Sequence, residues 1–395
     1  MNTKTLTATS LSFLALASSA LANGFALSEM SARGNGLQGT LVGSTKDVSA
    51  IYYNPANLTE LEPTGVYTLF GITLARPDFH VRAGGTVTDQ DESVFPLPHL
   101  YVGGALTDEL YLGLGIYTEY GLGTCYERGN KWVLASDSMK TKIVSFTTAP
   151  VLAWKATDYL SFAAGPRIMY MNFIQDRYVA PYRSNFHLDA EDWTCAYQLA
   201  ASWKIIDTLG LGLVYRSKAE FHEEGDVTLR PLGVNSGVKG DVTMPQSVTA
   251  GLNWQATDRL GIGFAATWTD WSSFDGLTMK FSNEALPTTY ARKDWHSCWR
   301  YSFGLEYQLN DNWSVQAGYT YDGACYNSDY PDTMCPPGAR DQISFGFQYK
   351  TGAWTFGADY MLVHIRPTDR TIGDEKVSFR ELRTDTFGFS MGYHF

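Results

Sequence analysis

Few residues in this sequence have types and spacing that suit catalysis. Gly34, Gly36 and Gly39 match G-x-G-x-x-G, a pattern that lets a backbone approach a dinucleotide pyrophosphate. The pattern has that meaning only after a strand and inside a βαβ unit, and the surrounding sequence predicts neither. No G-x-S-x-G nucleophile elbow or P-loop occurs, and the seven histidines have no recognisable partner spacing. We therefore expect that the protein is not an enzyme and needs no cofactor.

The five cysteines do not predict a metal site. No C-x-x-C occurs, and His296-x-Cys298 lacks two further ligands at a suitable spacing. An odd number leaves at least one cysteine outside any intramolecular pair. Cys325 and Cys335 flank a polar stretch, and the sequence is equally compatible with a disulfide between them and with two thiols.

The first 22 residues have the features of a secretory signal peptide. Lys4 precedes the short apolar run 11–17, and Ala20-Leu21-Ala22 is a small-x-small cleavage site. We expect the mature chain to begin at Asn23, in a compartment where disulfides are permitted.

Composition excludes several classes of protein. The formal net charge of −11 argues against nucleic acid as a partner, since phosphate binding needs a concentrated basic surface. Aromatic residues make up 14% of the chain and charged residues only 18%, which is unlike a disordered protein. Beyond the signal peptide we find no run of about 18 apolar residues, so a helical membrane protein is excluded.

From Thr64 onward the chain alternates between apolar and small or polar residues with a period of two. The final residues are the clearest example, because Phe387, Phe389, Met391 and Tyr393 alternate with glycine, serine and threonine. Six short turns and seven longer polar stretches join the alternating runs, which gives fourteen strands. The short turns all fall at one end. They are Thr107-Asp108, Thr157-Asp158, Asp207-Thr208, Thr257-Asp258, Asn310–Asn312 and Thr351-Gly352.

These features favour a transmembrane barrel over a soluble β-sandwich. The second face of a sandwich meets water and is rich in Lys and Glu, whereas here it is mostly Gly, Ser, Thr, Asn and Gln. Tryptophans recur near the strand ends, as in the aromatic girdles of outer-membrane barrels. We predict an all-β fold in which residues 64–395 form a fourteen-stranded antiparallel transmembrane β-barrel. Residues 23–63 do not alternate and are too few to bury a core alone, so we predict an N-terminal hatch inside the lumen.

Two segments of the hatch carry a resemblance to a known family. Gly24–Glu29 and Asp47–Leu58, with Asn54-Pro55-Ala56 at its centre, resemble the FadL/TodX family of outer-membrane transporters. The resemblance implies import of long-chain fatty acids or hydrophobic aromatics, with Asn54-Pro55-Ala56 marking where the hatch holds the wall. Glu119–Thr124 resembles the stretch where family members bend the third strand, so Gly121, Leu122 and Gly123 are predicted to form a lateral gate. Glycines there weaken the ladder and permit a positive φ or a bulge.

The predicted function is passive import of hydrophobic small molecules, most plausibly fatty acids, across the outer membrane of a Gram-negative bacterium. Partners would be the hydrophobic solute and the surrounding lipid and lipopolysaccharide, with a monomeric barrel. Two alternatives stay open at this point. A general aqueous porin is disfavoured by the apolar hatch, and an outer-membrane lipid hydrolase is kept because catalytic triads assemble in space.

Candidate substrate contacts are inward-facing positions that depart from the small or polar pattern of the inner face. Arg167 is the candidate partner for a carboxylate, and Asn23, Gly24 and Phe25 are expected inside the lumen. The apolar candidates either line the substrate route or pack against the hatch. They are Tyr117, Met169, Met171, Phe173 and Trp271.

Overall fold

The structure is a computed structural model. It describes residues 24–83, 86–90, 93–126, 138–179, 184–327, 329–330, 334–335, 337–372 and 375–395. The predicted signal peptide, residues 1–22, and Asn23 lie outside the described residues. No helix in the described part of the chain is long and apolar enough to cross a membrane.

The chain from Val66 forms fourteen antiparallel strands that close into a barrel, so the predicted fold class is confirmed. Six strands are interrupted and have two segments. The strands are β1 Val66–Ala83; β2 Phe95–Ala105; β3 Leu110–Tyr117 and Gly121–Cys125; β4 Ser138–Lys155; β5 Leu160–Val179; β6 Ser184–Ile206; β7 Leu209–Arg216 and Ala219–Arg230; β8 Val234–Met244 and Ser247–Gln255; β9 Leu260–Thr269 and Gly276–Phe281; β10 Thr289–Arg292 and Cys298–Gln308; β11 Trp313–Asp322; β12 Arg340–Thr351; β13 Trp354–Ile365 and Thr368–Ile372; β14 Glu375–His394. Pairing of β14 with β1 closes the wall, and a short segment, Thr86–Asp89, pairs with the outer end of β1 before β2 begins.

The alternation places apolar side chains outside and small or polar ones inside. On β14, Phe387, Phe389 and Met391 are exposed on the outer face. A belt of tryptophans near the short turns is also exposed, as expected for side chains at a membrane interface. Its members are Trp154, Trp203, Trp254, Trp313 and Trp354.

Several segments expected to be loops are strands that continue past the apolar band. β5 runs to Val179 and β6 begins at Ser184, within the segment 174–190 expected to be a loop, and β7 and β8 likewise cover most of 223–241. The alternation is reversed in these extensions, because apolar side chains such as Phe186, Leu188 and Val227 are buried on one face while the other face is polar. Polar cross-strand pairs such as His187 with Asp176 (2.6 Å) and His222 with Asp241 (2.8 Å) also join the strands.

The hatch fills the lumen with three short helices. They are α1, Ala32–Gly36, α2, Ala50–Tyr53, and a 3-10 helix, Pro55–Glu60. The Ser31 side chain caps α1, and Pro55 occupies the first position of the 3-10 helix, where its missing N–H costs nothing. Helix α1 packs against β11–β14, and the 3-10 helix packs against β2–β6, so the hatch touches most of the wall.

Inward-facing glycines let the hatch approach the wall closely. A Cβ atom at any of eight such positions, spread over six strands, would lie within 3.0 Å of a hatch atom. The absence of side chains at these positions therefore explains much of the glycine content of the inner face. The eight are Gly113, Gly115, Gly210, Gly212, Gly251, Gly263, Gly304 and Gly318.

An ion pair fastens α1 to the wall. The Arg33 guanidinium donates two hydrogen bonds to the carboxylate of Glu306 on β10, at 3.0 and 2.8 Å, and one to Asp47 in the hatch, at 2.9 Å. Burial disfavours the charged guanidinium, but the carboxylates of Glu306 and Asp47 outweigh that effect and raise the pKa of Arg33 above its usual value. Two parallel hydrogen bonds to one carboxylate also fix the orientation of the hatch.

We predict that Arg33→Met loosens the hatch while the barrel stays folded. The change leaves Glu306 and Asp47 without their cationic partner in a partly buried site, which costs on the order of 1–3 kcal/mol. Hydrogen exchange of residues 24–63 should become faster, with the strand amides unchanged. Arg33→Lys keeps the charge but not the two-pronged geometry, so its exchange should be intermediate. Unchanged exchange in Arg33→Met would show that this ion pair does not hold the hatch.

Candidate functional site

The wall is interrupted between β2 and β3. Their pairing ends at Leu100 with Ile116, although β2 continues back to Phe95. β3 breaks after Tyr117 and resumes at Gly121, and the second segment pairs only with β4. A bridge between Gln90 and Tyr126 closes the interruption at its outer end. We call the interval between the Leu100–Ile116 pair and the Gln90–Tyr126 bridge the wall gap.

A bulge in β3 produces this departure from the wall. Tyr117 is opposite Thr147 of β4, whereas Gly121 is opposite Val144, so β3 contains one extra residue between the two pairs. The extra residue turns the edge of β3 away from β2. The hydroxyl of Ser145 on β4 accepts a hydrogen bond from the Tyr120 N–H (3.0 Å) and donates one to the Tyr120 carbonyl (2.7 Å). One buried side chain thus satisfies both backbone groups of Tyr120.

The hatch occupies the edge that β3 exposes. Ala26 forms an isolated antiparallel bridge with Tyr120. The Leu27 N–H donates to the Glu119 carbonyl at 2.9 Å, and the Gly121 N–H donates to the Phe25 carbonyl at 3.0 Å. The N-terminal segment therefore supplies the partners that β2 does not.

The two glycines of the predicted gate allow neighbouring side chains to lie close to β3, and they do not adopt an unusual backbone conformation. Neither Gly121 nor Gly123 has a positive φ. A Cβ at Gly121 would lie 2.7 Å from Leu27 of the hatch, and one at Gly123 would lie 2.2 Å from the ring of Phe95 on β2. Leu122 between them packs against the buried apolar cluster around Phe25.

Phe25 lies in an aromatic box inside the lumen. Its ring centre is 4.8 Å from that of Trp271, 5.7 Å from Phe274 and 5.8 Å from Trp295. Gly24 has a φ of 55° and no room for a side chain, because a Cβ would lie 2.6 Å from Trp295. Gly24 and Phe25 therefore lie inside the barrel.

A cavity of about 690 Å³ runs from the lumen to the wall gap. The hatch segment Gly24–Glu29 and residues 118–124 of β3 form part of its lining. Phe146 of β4 and Val94 also border it, and both are exposed on the outer surface, at 40% and 56%. The cavity therefore reaches the lipid-facing side of the wall. Its volume is in the range of pockets that enclose a small organic ligand.

The six side chains predicted to contact substrate all point inward, but none of these six described residues borders the cavity. They support the hatch instead. Tyr117 packs on the ring of Tyr52 in α2, with ring centres 5.2 Å apart. Met169, Met171, Phe173 and Trp271 belong to or pack against the apolar cluster that contains Phe25.

Arg167 already has a carboxylate partner within the protein. Its Nη2 lies 2.6 Å from Oε2 of Glu119, and its Nη1 donates to the carbonyl of Ser217. Both charged side chains are buried and their charges neutralise one another, with Glu119 at the border of the cavity.

Asn54 ties the hatch to the barrel wall. Its side-chain amide donates to the carbonyls of Val42 (2.7 Å) and Ala201 on β6 (3.1 Å), and its side-chain oxygen accepts from the Ala56 N–H. Asn54 and Ala56 are fully buried. The sequence motif and the wall contact therefore coincide at this residue.

Sequence reasoning missed three arginines that border the cavity, Arg216, Arg300 and Arg340. Arg216 donates to the Tyr52 carbonyl and lies near Glu119, whereas Arg300 and Arg340 lie on β10 and β12. Both residues are opposite Asp322 of β11 in the strand registers. Arginines at inward positions beside a strand end could have indicated this site, but the strand register next to the long loops could not be predicted from the sequence.

The structure has no disulfide among the five cysteines, all of which are described. Cys298, Cys325 and Cys335 are buried in the apolar cluster around Phe25. Cys325 neighbours both of the others, so Cys325 and Cys335 are two members of a group of three.

The sequence profile of the family described as outer membrane protein transport protein (OMPP1/FadL/TodX) matches residues 13–377. The chain belongs to this family. It is a FadL/TodX outer-membrane transporter of hydrophobic compounds from a Gram-negative bacterium.

Relatives and solved structures agree with this FadL/TodX assignment. An outer membrane protein of Neisseria meningitidis serogroup B is 25% identical, with 89% of this chain and 88% of the relative covered. Outer membrane protein P1 of Haemophilus influenzae is 22% identical over 71% of this chain and 69% of its own length.

Among solved structures, a FadL homologue of Pseudomonas aeruginosa has a TM-score of 0.83 at 20% identity, with 94% of this chain and 99% of that chain covered. The toluene transporter TodX of Pseudomonas putida has a TM-score of 0.73 at 16% identity, with 92% and 98% covered. At such identities the solved structures support the fold of this FadL/TodX protein.

We predict that Ser145→Ala destabilises the bulge of β3. The Tyr120 N–H and carbonyl would lose their partner in a buried site, at a cost of about 1–3 kcal/mol per group. Backbone amides of 118–124 should exchange faster, while those of β9–β12 should not change. Ser145→Thr retains the hydroxyl and is the matched control. Equal exchange rates in the alanine variant and the parent would exclude a role for Ser145 in holding the bulge.

Proposed function

We propose that this protein imports long-chain fatty acids, in preference to uncharged aromatic hydrocarbons, by passive diffusion through the cavity and out of the wall gap. The observation that carries the proposal is the cavity itself, which has guanidinium groups near Gly24 and apolar walls leading to the outer surface. An amphipathic acid matches both parts. A monomeric barrel surrounded by lipid and lipopolysaccharide is the expected working form.

Arg300 and Arg340 are the proposed site for the carboxylate. Nη2 of Arg340 donates to the Gly24 carbonyl at 2.7 Å, and Nη2 of Arg300 donates to Gln342 at 3.3 Å. The Nε atom of each is buried and has no hydrogen-bond partner in the described part of the chain. Unsatisfied donors on two cations favour an anionic ligand, because charge-assisted hydrogen bonds are the stronger kind.

The apolar part of the route supports binding of an acyl chain. Phe25, Leu27 and Tyr120 border the cavity between Arg340 and the wall gap, followed by Ile143 of β4. Burial of an acyl chain against such walls contributes roughly 25 cal/mol per Å² of apolar surface. A fatty acid that leaves between β2 and β3 would enter the membrane without crossing its polar surface.

The toluene transporters among the similar structures raise an aromatic hydrocarbon as the second candidate substrate. Such a molecule offers nothing to the buried Nε atoms of Arg300 and Arg340, which would be desolvated against it at a cost. An aqueous porin is disfavoured by a hatch whose helices contact the wall on many sides. A hydrolase is a weaker alternative, which lipid-hydrolysis assays on purified protein would test.

We predict that Arg300→Gln with Arg340→Gln weakens oleate binding to purified protein by about tenfold or more, since each variant removes a charged hydrogen-bond donor. Binding of toluene should change little. Arg259→Gln, in a short exposed turn, is the control and should bind oleate like the parent. If the parent binds toluene more tightly than oleate, or if the variant loses both equally, the proposed substrate class is wrong.

We predict that Gly123→Val reduces uptake of labelled oleate several-fold in cells with matched surface levels, because its side chain would meet Phe95 within the wall gap. Gly121→Val should act in the same direction through its contact with Leu27. Gly261→Val is the control, since a Cβ there makes only ordinary contacts, at 3.8 Å or more. Normal uptake by folded Gly123→Val protein would contradict lateral exit at this position.

A further inference from the structure

Two prolines lie on the β2 side of the wall gap. Pro96 and Pro98 pair with Leu74 and Ile72 of β1, so β2 is firmly held on that side. On its other side, β2 has lost β3 along the same residues. A proline has no backbone N–H, and within sheets it is confined to edges and bulges.

The strand register shows which way the amide of each proline would point. The Leu106 N–H donates to the Leu110 carbonyl at 2.7 Å, so the backbone groups of Leu106 face β3. In an antiparallel strand every second residue faces the same neighbour. Residues 104, 102 and 100 therefore face β3, and Pro98 and Pro96 are the next two in the series. They would stand opposite residues 118 and 120 if the pairing continued beyond Leu100 and Ile116.

The positions at which β2 would donate hydrogen bonds across the wall gap thus carry no N–H. Any other residue type there would present two unpaired donors towards lipid, each costing several kcal/mol. The same donors would also favour renewed pairing with β3, as exposed strand edges do. The remaining carbonyls are less costly to leave unsatisfied than N–H groups are.

The β3 edge of the wall gap is hydrogen-bonded in a different way. β3 keeps its N–H groups, and at the wall gap the Gly121 N–H donates to the Phe25 carbonyl of the hatch. The Gly123 carbonyl accepts from the side chain of Gln90 at 2.8 Å. The β3 edge of the wall gap therefore has hydrogen-bond partners that can be removed, whereas the β2 edge has no N–H groups there that need partners.

We propose that Pro96 and Pro98 keep β2 from pairing with β3, so that the wall gap is a permanent feature on the β2 side. Access through it is then controlled from the β3 side, by the hatch segment Phe25–Leu27. This inference rests on the proposed lateral exit only where it predicts an effect on uptake. Its structural claim, that the prolines prevent pairing of β2 with β3, is measured separately by hydrogen exchange.

The chain supplies matched control prolines. Pro150 of β4 and Pro166 of β5 stand opposite each other between the pairs Thr148–Ile168 and Leu152–Ala164. The strands pair on both sides of this point, so these prolines border no comparable gap. Pro166→Val restores an N–H in the same kind of wall without touching the wall gap.

The test compares the parent with Pro96→Val/Pro98→Val, with Pro98→Val alone in case the double variant fails to fold, and with Pro166→Val. Hydrogen exchange of backbone amides 118–124 reports pairing of β3, and uptake of labelled oleate by cells with matched surface levels reports transport. We expect exchange at 118–124 to slow roughly fivefold or more and uptake to fall several-fold in the variants at 96 and 98. The Pro166→Val control should change neither.

The outcomes separate this inference from the proposed function. Slower exchange with normal uptake would support the role of the prolines and overturn lateral exit. Unchanged exchange in folded Pro98→Val and in the double variant would overturn the inference, whatever the uptake. The same slowing in Pro166→Val would also overturn it, because the effect would then not depend on the wall gap.

Discussion

The structure depends on one constraint, which is that a backbone N–H or carbonyl facing lipid must have a hydrogen-bond partner. Closure of β14 on β1 satisfies this constraint around the barrel. At the wall gap the same constraint is met by three local means. The hatch pairs with β3, Ser145 holds both backbone groups of Tyr120, and Gln90 reaches Gly123. These hydrogen bonds satisfy backbone groups on the β3 edge of the wall gap.

The hatch connects this local arrangement to the whole barrel. It lies against glycines on six strands, and Arg33 and Asn54 fix it to β10 and β6. Because the segment that pairs with β3 is continuous with the segment so fixed, the position of Phe25 beside the wall gap is set by contacts on the far side of the lumen. The aromatic box around Phe25 then closes the cavity next to Arg340.

The charged side chains inside the lumen form two groups. Arg167 and Glu119 neutralise each other in a buried pair, of which Glu119 borders the cavity. Arg300 and Arg340, which also border the cavity, share the neighbourhood of one carboxylate, Asp322, and this group therefore has a positive balance. The difference matters for substrate choice in a FadL/TodX protein, because a neutral lumen suits a hydrocarbon and a positive one suits an acid.

The strands of the barrel wall could be predicted from the sequence. A period of two is a local property, so alternating runs and short turns were enough to predict fourteen strands, their outward faces and a hatch at residues 23–63, and the motif around Asn54 pointed to the family. The extensions of β5–β8 were not predicted because the alternation is reversed there, with the apolar side chains buried and the polar ones exposed. The tertiary structure alone decided which side chains border the cavity. Arg300, Asp322 and Arg340 come together only through the registers of three strands, and Ser145 meets Tyr120 only because of a one-residue bulge. Partner choice across strands is a long-range property, and a bulge that shifts it by one residue leaves the local alternation almost unchanged.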